Sequence, residues 1–320
     1  MPRPYPPEFR RHALDLIESG RTVRDVAASL GIAESCLHRW RHRDLVDRGV
    51  KPGVTGYYAW AARAPSPRAI RHAWLTDLIG TAHHASRGTY GAPRIHAELV
   101  LGHGITVGRN TISLLMRRAG LAGLPAHSHG KRTKRLITVT DLVRRDFRRD
   151  GPNQLWVTDI TEHPTREGKL YCCVVLDAWS RRVVGWAIDS AQRADLATSA
   201  LGMAIDSRDA AGGIIHGDHG TQFTSWTFTE RARKAGLLPS LGSVGDPYDA
   251  MIESFWGRMQ TELLNRQRWN TRIELANASF EYIEGFHNRR RRHSALGWQA
   301  PIDFESAIQD RVQSPELLVL

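Results

Sequence analysis

Three helical patterns open the chain. Over residues 8–19, Phe9, Ala13, Leu14 and Ile17 recur at helical spacing, and Gly20 ends the run. Thr22-Val-Arg-Asp25 has the form of a capping box and starts a second helix with Val26, Ala27 and Leu30 inward. Gly31 turns the chain. A third helix from residue 33 points Leu37 and Trp40 inward and shows Ser35, His38, Arg39, Arg41 and His42 outside. A helix, a glycine turn and a second helix with a basic outer face make a helix-turn-helix, which predicts DNA binding. The plainer alternative is a three-helix bundle with a solvated basic face.

Gly49, Pro52, Gly53, Gly56, Pro65 and Pro67 break the pattern, so residues 49–67 are expected to be a linker, with the aromatic patch Tyr57-Tyr-Ala-Trp60 packing on a neighbour. Ile70, Ala73, Trp74, Asp77 and Leu78 then predict a helix, and the segment Gly88-Thr-Tyr-Gly-Ala-Pro-Arg94 is followed by another to about residue 101. Residues 107–119 predict a further helix with Ile112, Leu115 and Met116 inward and Arg109, Asn110, Ser113, Arg117 and Arg118 on its polar side. Residues 68–124 thus form a second helix-turn-helix candidate. In the connector 125–150, Lys131, Arg132, Lys134, Arg135, Arg144, Arg145, Arg148 and Arg149 face only Asp141 and Asp146, which suits tracking a phosphate backbone or a solvated linker.

From residue 151 the period changes from helical to alternating. Residues 154–162, 170–177 and 181–189 predict three strands rich in Val, Ile, Trp and Tyr. Helices over 194–206 and 226–235 then alternate with strands over 213–216 and 237–241, and long helices over 250–266 and 272–287 follow. Three antiparallel strands followed by alternating helix and strand is the order of a ribonuclease H-like α/β domain. The expected architecture is therefore two all-α helix-turn-helix modules, at 1–48 and 68–124, ahead of a mixed five-stranded sheet with helices at 151–305. Residues 306–320 form a tail.

Composition narrows the function. The 320 residues carry a net charge of +11, which favours a polyanionic partner, nucleic acid before anionic membrane. No apolar run approaches the ~18 residues of a membrane span, and the N-terminus lacks a signal-peptide core. Of the three cysteines, Cys172 and Cys173 lie in an apolar run and Cys36 stands alone. Neither a disulfide framework nor a cysteine metal site is expected, so a reducing cytosol is.

Three carboxylates stand out by position. Asp159 lies mid-strand in Trp156-Val-Thr-Asp-Ile-Thr161, where alternation puts Val157, Asp159 and Thr161 on one face. Asp218 closes the strand ending at His216, and Glu253 borders the apolar stripe Ile252, Phe255, Trp256, Met259 and Leu263 of a long helix. Taken singly, each is more often an edge, turn or solvated residue. Brought together they repel unless a cation lies between them, and an all-oxygen set suits magnesium or manganese. Two such ions would activate a water or a 3′-hydroxyl and stabilise the leaving oxygen of a phosphodiester. Ser180 and Ser225 have no base arranged beside them.

These motifs resemble bacterial insertion-sequence transposases of the DDE class, the type made from two reading frames and related to retroviral integrases. Residues 8–43 resemble the first-frame helix-turn-helix, and Ser86-Arg-Gly-Thr-Tyr-Gly-Ala-Pro-Arg94 with residues 107–121 resembles the second. Trp156-Val-Thr-Asp-Ile-Thr161, Leu176-Asp-Ala-Trp-Ser-Arg-Arg182, His216-Gly-Asp-His-Gly-Thr-Gln-Phe-Thr-Ser225 and Glu253-Ser-Phe-Trp256 resemble the catalytic core. His287-Asn-Arg-Arg-Arg-Arg-His-Ser-Ala-Leu296 with Pro301 resembles its C-terminal end. The resemblance implies Asp159, Asp218 and Glu253 as catalytic residues and metal ligands, with Asp177 either structural or supporting those ligands from behind and Gln222 and Thr161 as neighbours. It implies cleavage at the ends of a mobile element and strand transfer into target DNA. The partners would be double-stranded DNA, as terminal inverted repeats and as target, and further copies of the chain on that DNA. The location would be the bacterial cytoplasm, at the nucleoid. DNA contacts are expected from Ser35, His38, Arg39, Arg41, Arg109, Asn110, Arg117, Arg118, Arg258, Gln260, Arg289, Arg290 and Arg291.

The chain departs from the family pattern in three places. Thirty-four residues separate Asp218 from Glu253, one fewer than usual, with Tyr248-Asp249-Ala250 where the family has Tyr-Asp-Asn-Ala. Gln260 stands where the family often has Lys. No leucine heptads join the two halves. The alternative function is therefore a weakly catalytic relative that binds element ends and represses transposition. A hybrid-cleaving ribonuclease suits the fold but not the two helix-turn-helix modules.

Overall fold

A computed structural model describes residues 5–49, 63–125, 143, 147–242 and 250–313. The aromatic patch at Tyr57, most of the basic connector, the Tyr248-Asp249 loop and residues 314–320 lie outside the described residues. The chain divides into two compact units, Met1–Ile70 and Arg71–Leu320.

The first unit holds α1 (Pro7–Glu18), α2 (Val23–Leu30) and α3 (Glu34–Asp47). The Thr22 hydroxyl accepts the Asp25 N–H at 3.2 Å and donates to the Asp25 carboxylate at 2.7 Å, which satisfies an orphan donor of α2. Gly31 takes the left-handed conformation (φ 63°) that the sharp turn into α3 requires. Ala13, Val26, Ala27, Ile32 and Leu37 form the core, with Phe9, Ile17 and Trp40 against it. Leu16 joins that core rather than the expected Leu14.

The second unit takes up α4 (Pro67–Ala85) from Arg71 onward and continues with α5 (Ala92–Ala97), which runs on as a π-helical turn Glu98–Gly102, and α6 (Arg109–Arg118). The apolar positions that predict α4 are not the ones it buries. Leu75, Ile79 and Ala82 are buried, whereas Ile70 and Trp74 are 59% and 48% exposed. With apolar residues on most of its circumference, its own pattern does not choose the inward face.

Five strands form one mixed sheet: β1 (Leu155–Thr165), β2 (Gly168–Asp177), β3 (Val183–Asp189), β4 (Ile214–Gly217) and β5 (Leu238–Leu241), in the order β3-β2-β1-β4-β5. β1 pairs antiparallel with β2 and parallel with β4. Alternation sends Trp156, Cys173 and Val175 to one face, under α7 (Ala194–Ser207) and α8 (Trp226–Lys234). A Cβ on Gly185 of β3 would meet the Ala200 carbonyl of α7 at 2.2 Å, so glycine permits that close approach.

The other face carries Val157, Cys172, Val174 and Leu176. It is covered by α9 (Ala250–Glu262) and by α10 (Arg272–Phe280), which continues as a π-helical turn Glu281–His287. α9 is shorter than the expected 250–266. Leu263 leaves the helix at φ −134°, because Leu264 and Trp269 turn into the core and the Trp269 indole N–H binds the Leu264 carbonyl at 2.9 Å. A final helix, α11, spans Pro301–Gln313. Leu75, Ile79, Ile95, Ile112 and Leu115 of α4–α6 share one apolar cluster with Val157, Leu176 and Trp256. The second helix-turn-helix, expected as a module of its own, is thus built onto the sheet domain.

Candidate active site

Strand register brings the first two carboxylates together. In the parallel ladder Val157 of β1 lies opposite His216 of β4. Asp159 lies two residues beyond Val157 on the same side of β1, and Asp218 follows the end of β4 two residues beyond His216, so both come after the same end of the paired stretch.

Helix α9 brings the third acid to that side. The Trp256 indole N–H donates to Asp159 Oδ2 at 3.0 Å, which ties α9 to β1. Glu253 lies three residues before Trp256, one turn back on a neighbouring part of the helix surface. The bond from Trp256 to Asp159 is the contact that sequence reasoning missed. Its signal was a buried indole in the apolar stripe, whose N–H needs a partner.

Asp159 is half-buried and its Oδ1 accepts the Ile160 N–H at 2.8 Å. Asp218 is exposed and its Oδ1 accepts the Gly220 N–H at 2.8 Å. A Cβ on Gly220 would come within 2.8 Å of that carboxylate and 2.6 Å of Gln222 Oε1, so a larger residue there would push both side chains aside. Gln222 is therefore beside Asp218, and Thr161 follows Asp159 on the same face of β1. Among the described residues, no three His, Cys, Asp or Glu side chains are grouped tightly enough to hold a metal ion. The donor set itself, three carboxylates and no sulfur or imidazole, fits a hard divalent cation.

Asp177 has a different job. It is fully buried and accepts the N–H groups of Asn153 (2.7 Å), Trp179 (2.9 Å) and Ser180 (2.9 Å), which fixes the turn from β2 to β3. Burial raises its pKa against the pull of these hydrogen bonds.

The expected DNA-facing residues divide. Ser35, His38, Arg39 and Arg41 are exposed on α3, Arg109, Asn110, Arg117 and Arg118 on α6, and Arg289 and Arg290 after the π-turn. Gln260 and Arg258 are half-buried on α9. Arg291 is a correction. It is 0% exposed and grips Glu262 through Nε (2.8 Å) and an Nη (2.5 Å), so it is an interior strut and not a DNA contact. A guanidinium at that depth requires a carboxylate partner.

Family models match along the chain. Residues 1–64 match a transposase model and 71–129 an HTH-like domain. Residues 149–247 and 235–301 match models of the integrase core domain. The transposase for insertion sequence element IS904 of Lactococcus lactis is 33% identical over 76% of this chain and 98% of its own length. The transposase for insertion sequence element IS629 of Shigella sonnei is 33% identical over 79% and 86%. Transposase InsF for insertion sequence IS3A of Escherichia coli is 34% identical over 81% and 92%. The chain belongs to the bacterial insertion-sequence transposases of the DDE/integrase family.

The transposase is accordingly a polynucleotidyl transferase that cleaves DNA and transfers the cut strand, with helix-turn-helix domains for binding DNA. Among solved structures, a simian T-cell lymphotropic virus intasome in complex with a PP2A regulatory subunit is similar at 14% identity, over 71% of this chain and 72% of that one, with a TM-score of 0.45. The HTLV-2 integrase catalytic core in complex with magnesium is similar at 19% identity, over 48% and 97%, with a TM-score of 0.35. Among the described residues no helix is long and apolar enough to cross a membrane.

Proposed function

We propose that the transposase binds the terminal inverted repeats of its element as a homo-oligomer and does its chemistry at Asp159, Asp218 and Glu253. The observation that carries this is the equivalent placement of Asp159 and Asp218 two residues beyond the Val157–His216 pair, with α9 fastened to Asp159 through Trp256. These carboxylates would hold magnesium or manganese, and two bound ions would supply activation of the attacking oxygen and stabilisation of the leaving one. Trp256 orients the Asp159 carboxylate, and the Gly220 N–H orients that of Asp218. Gln222 and Thr161 border the place where the scissile phosphate would lie. The exposed polar residues of α3 and α6, with Arg289 and Arg290, would contact DNA, and Gln260 would lie near the element end on α9. Work on chromosomal DNA puts the enzyme at the nucleoid.

Cleavage of a labelled element end and joining to a target duplex, assayed with magnesium, tests this. Asp159→Asn and Glu253→Gln should lose about a hundred- to a thousandfold in rate, the scale of removing a central charge-stabilising group, while end binding persists. Wild-type rates in Asp159→Asn would sink the assignment. A wild-type protein that binds ends as tightly but never cuts them would favour the repressor reading, which the shortened interval between Asp218 and Glu253 motivates.

A further inference from the structure

Arg258 lies five residues beyond Glu253, which turns it through about 140° on the helix and away from the acid face. On that other flank Ser254, Phe255 and Arg258 line a cavity of about 370 Å3, together with Arg181, His293 and Ser294. Among the described residues, neither the Arg181 nor the Arg258 guanidinium has a hydrogen-bond or ion-pair partner, although both are half-buried. His293 is 6% exposed, and its Nε2 is buried with no hydrogen-bond partner.

The charges that act on His293 are positive, while Asp177 acts on Arg181 and Glu262 on Arg258. After burial, the groups that drive the His293 imidazole toward its neutral form are His287, Arg291, Arg258 and Arg94. The nearest acid on α9, Glu262, is already bound to Arg291. Arg181 occupies the left-handed region at φ 62°, which disfavours any residue with a Cβ. That backbone is held in place by its N–H to the Asp177 carbonyl (2.9 Å) and by the His287 Nε2–H donated to the Arg181 carbonyl (2.9 Å). The buried, unpaired His293 Nε2 is costly to maintain with nothing bound, and two half-buried guanidiniums without a hydrogen-bond or ion-pair partner among the described residues line the same cavity. These are the donor types that bind phosphate, which guanidinium forks grip bidentately.

We propose that this cavity is a phosphate-binding subsite in which Arg181, Arg258 and His293 Nε2 hold one backbone phosphate of bound DNA. The proposal rests on the chain acting as a DNA-binding transposase, but not on the assignment of the three acids. A backbone contact carries no sequence information and serves to fix position. The subsite would therefore set where α9, and Glu253 with it, lies along the duplex.

The test measures binding of a labelled duplex of arbitrary sequence without divalent metal, across a salt series. Loss of one phosphate contact lowers the slope of log affinity against log salt by about one. Arg181→Gly removes the charge and relieves the left-handed strain, so it should fold at least as well as wild type. Arg258→Gln is the second probe, and thermal melting checks each. Both should flatten the slope by about one and weaken binding at low salt, while Arg258→Lys and Asp159→Asn keep the wild-type slope. Unchanged slopes in folded Arg181→Gly and Arg258→Gln overturn the proposal. Pyrophosphate supplies the second arm. If it raises the melting temperature of wild type but not of Arg258→Gln while the DNA slopes stay equal, the cavity takes a free phosphate compound and the DNA assignment is overturned. Because Asp159→Asn is read for binding here and for cleavage above, failure of the subsite and failure of the acid site give different results.

Discussion

The helix-turn-helix of α1–α3 buries Ala13, Val26, Ala27, Ile32 and Leu37 among themselves, whereas that of α4–α6 buries its apolar face in the core of the sheet domain. Polar contacts sharpen the contrast. The Tyr90 hydroxyl donates to the Arg290 carbonyl at 3.0 Å and accepts the Arg292 N–H at 2.8 Å. Arg94 reaches the Arg292 carbonyl, and Arg292 pairs with Glu98 at 2.6 Å. Arg291, in the same run, holds Glu262 at the end of α9. One helical module therefore has a core of its own, small enough to depend on its caps. The other is connected through a few residues to the helix that carries Glu253. The same motif can be a separate reader of DNA or part of the frame of an active site, depending on where its apolar face is buried.

Breaking the Glu262–Arg291 pair should have the largest effect. Glu262→Gln leaves a buried guanidinium without its countercharge, a loss of about 3–5 kcal/mol. Urea unfolding should show it in Arg71–Leu320 and not in the first unit. An equal loss in both units would erase the contrast drawn here.

Acid should act next, and on the same unit. Burial drives the His287 pKa from 6.5 down to about 3, so the folded state keeps the imidazole neutral. Stability from this group is complete above pH 6.5 and is lost as pH falls toward 3, by roughly 1 kcal/mol per unit. For Glu262, burial raises the pKa, but the hydrogen bonds and charge of Arg291 and the Tyr282 hydroxyl outweigh it and the net shift is downward. Its contribution is present above the ordinary glutamate range and disappears as pH drops through the lowered folded value. A stability profile of the second unit that is flat from pH 7 to 4 would contradict the buried, neutral state of His287.

Tyr90→Phe should cost about 1–3 kcal/mol, because it strands the Arg290 carbonyl and the Arg292 N–H. Hydrogen exchange should then rise in α4–α6 and in the Arg290 to Arg292 run together. Exchange confined to α4–α6 would show the two to be uncoupled. Thr22→Ala should be smallest, about 1 kcal/mol from a lost helix cap, with melting changed only in the first unit. A shift in the second unit would mean that the modules are not independent.

Much of this was legible in residue order. The five strands follow from alternation and composition, the caps at Thr22 and Gly31 are local, and period two already put Asp159 and Thr161 on one face. Pairings across the chain were not legible. Arg291 stands in a run of four arginines, of which Arg289, Arg290 and Arg291 were all expected to contact DNA, and only a partner 29 positions away sends it inward. Tyr90 finds Arg292 across 202 positions. The buried face of α4 is chosen by the cluster it meets, not by its own pattern.

The sequence by itself determined most of the elements and the order of the sheet domain, because short-range periodicity and side-chain chemistry encode these, while the three acids were singled out as a set only through the family resemblance. The tertiary structure decided which arginines face solvent, which helix-turn-helix joins the catalytic core and which indole holds Asp159. Those outcomes depend on burial and on the countercharge that burial demands, and both are set only when distant segments meet.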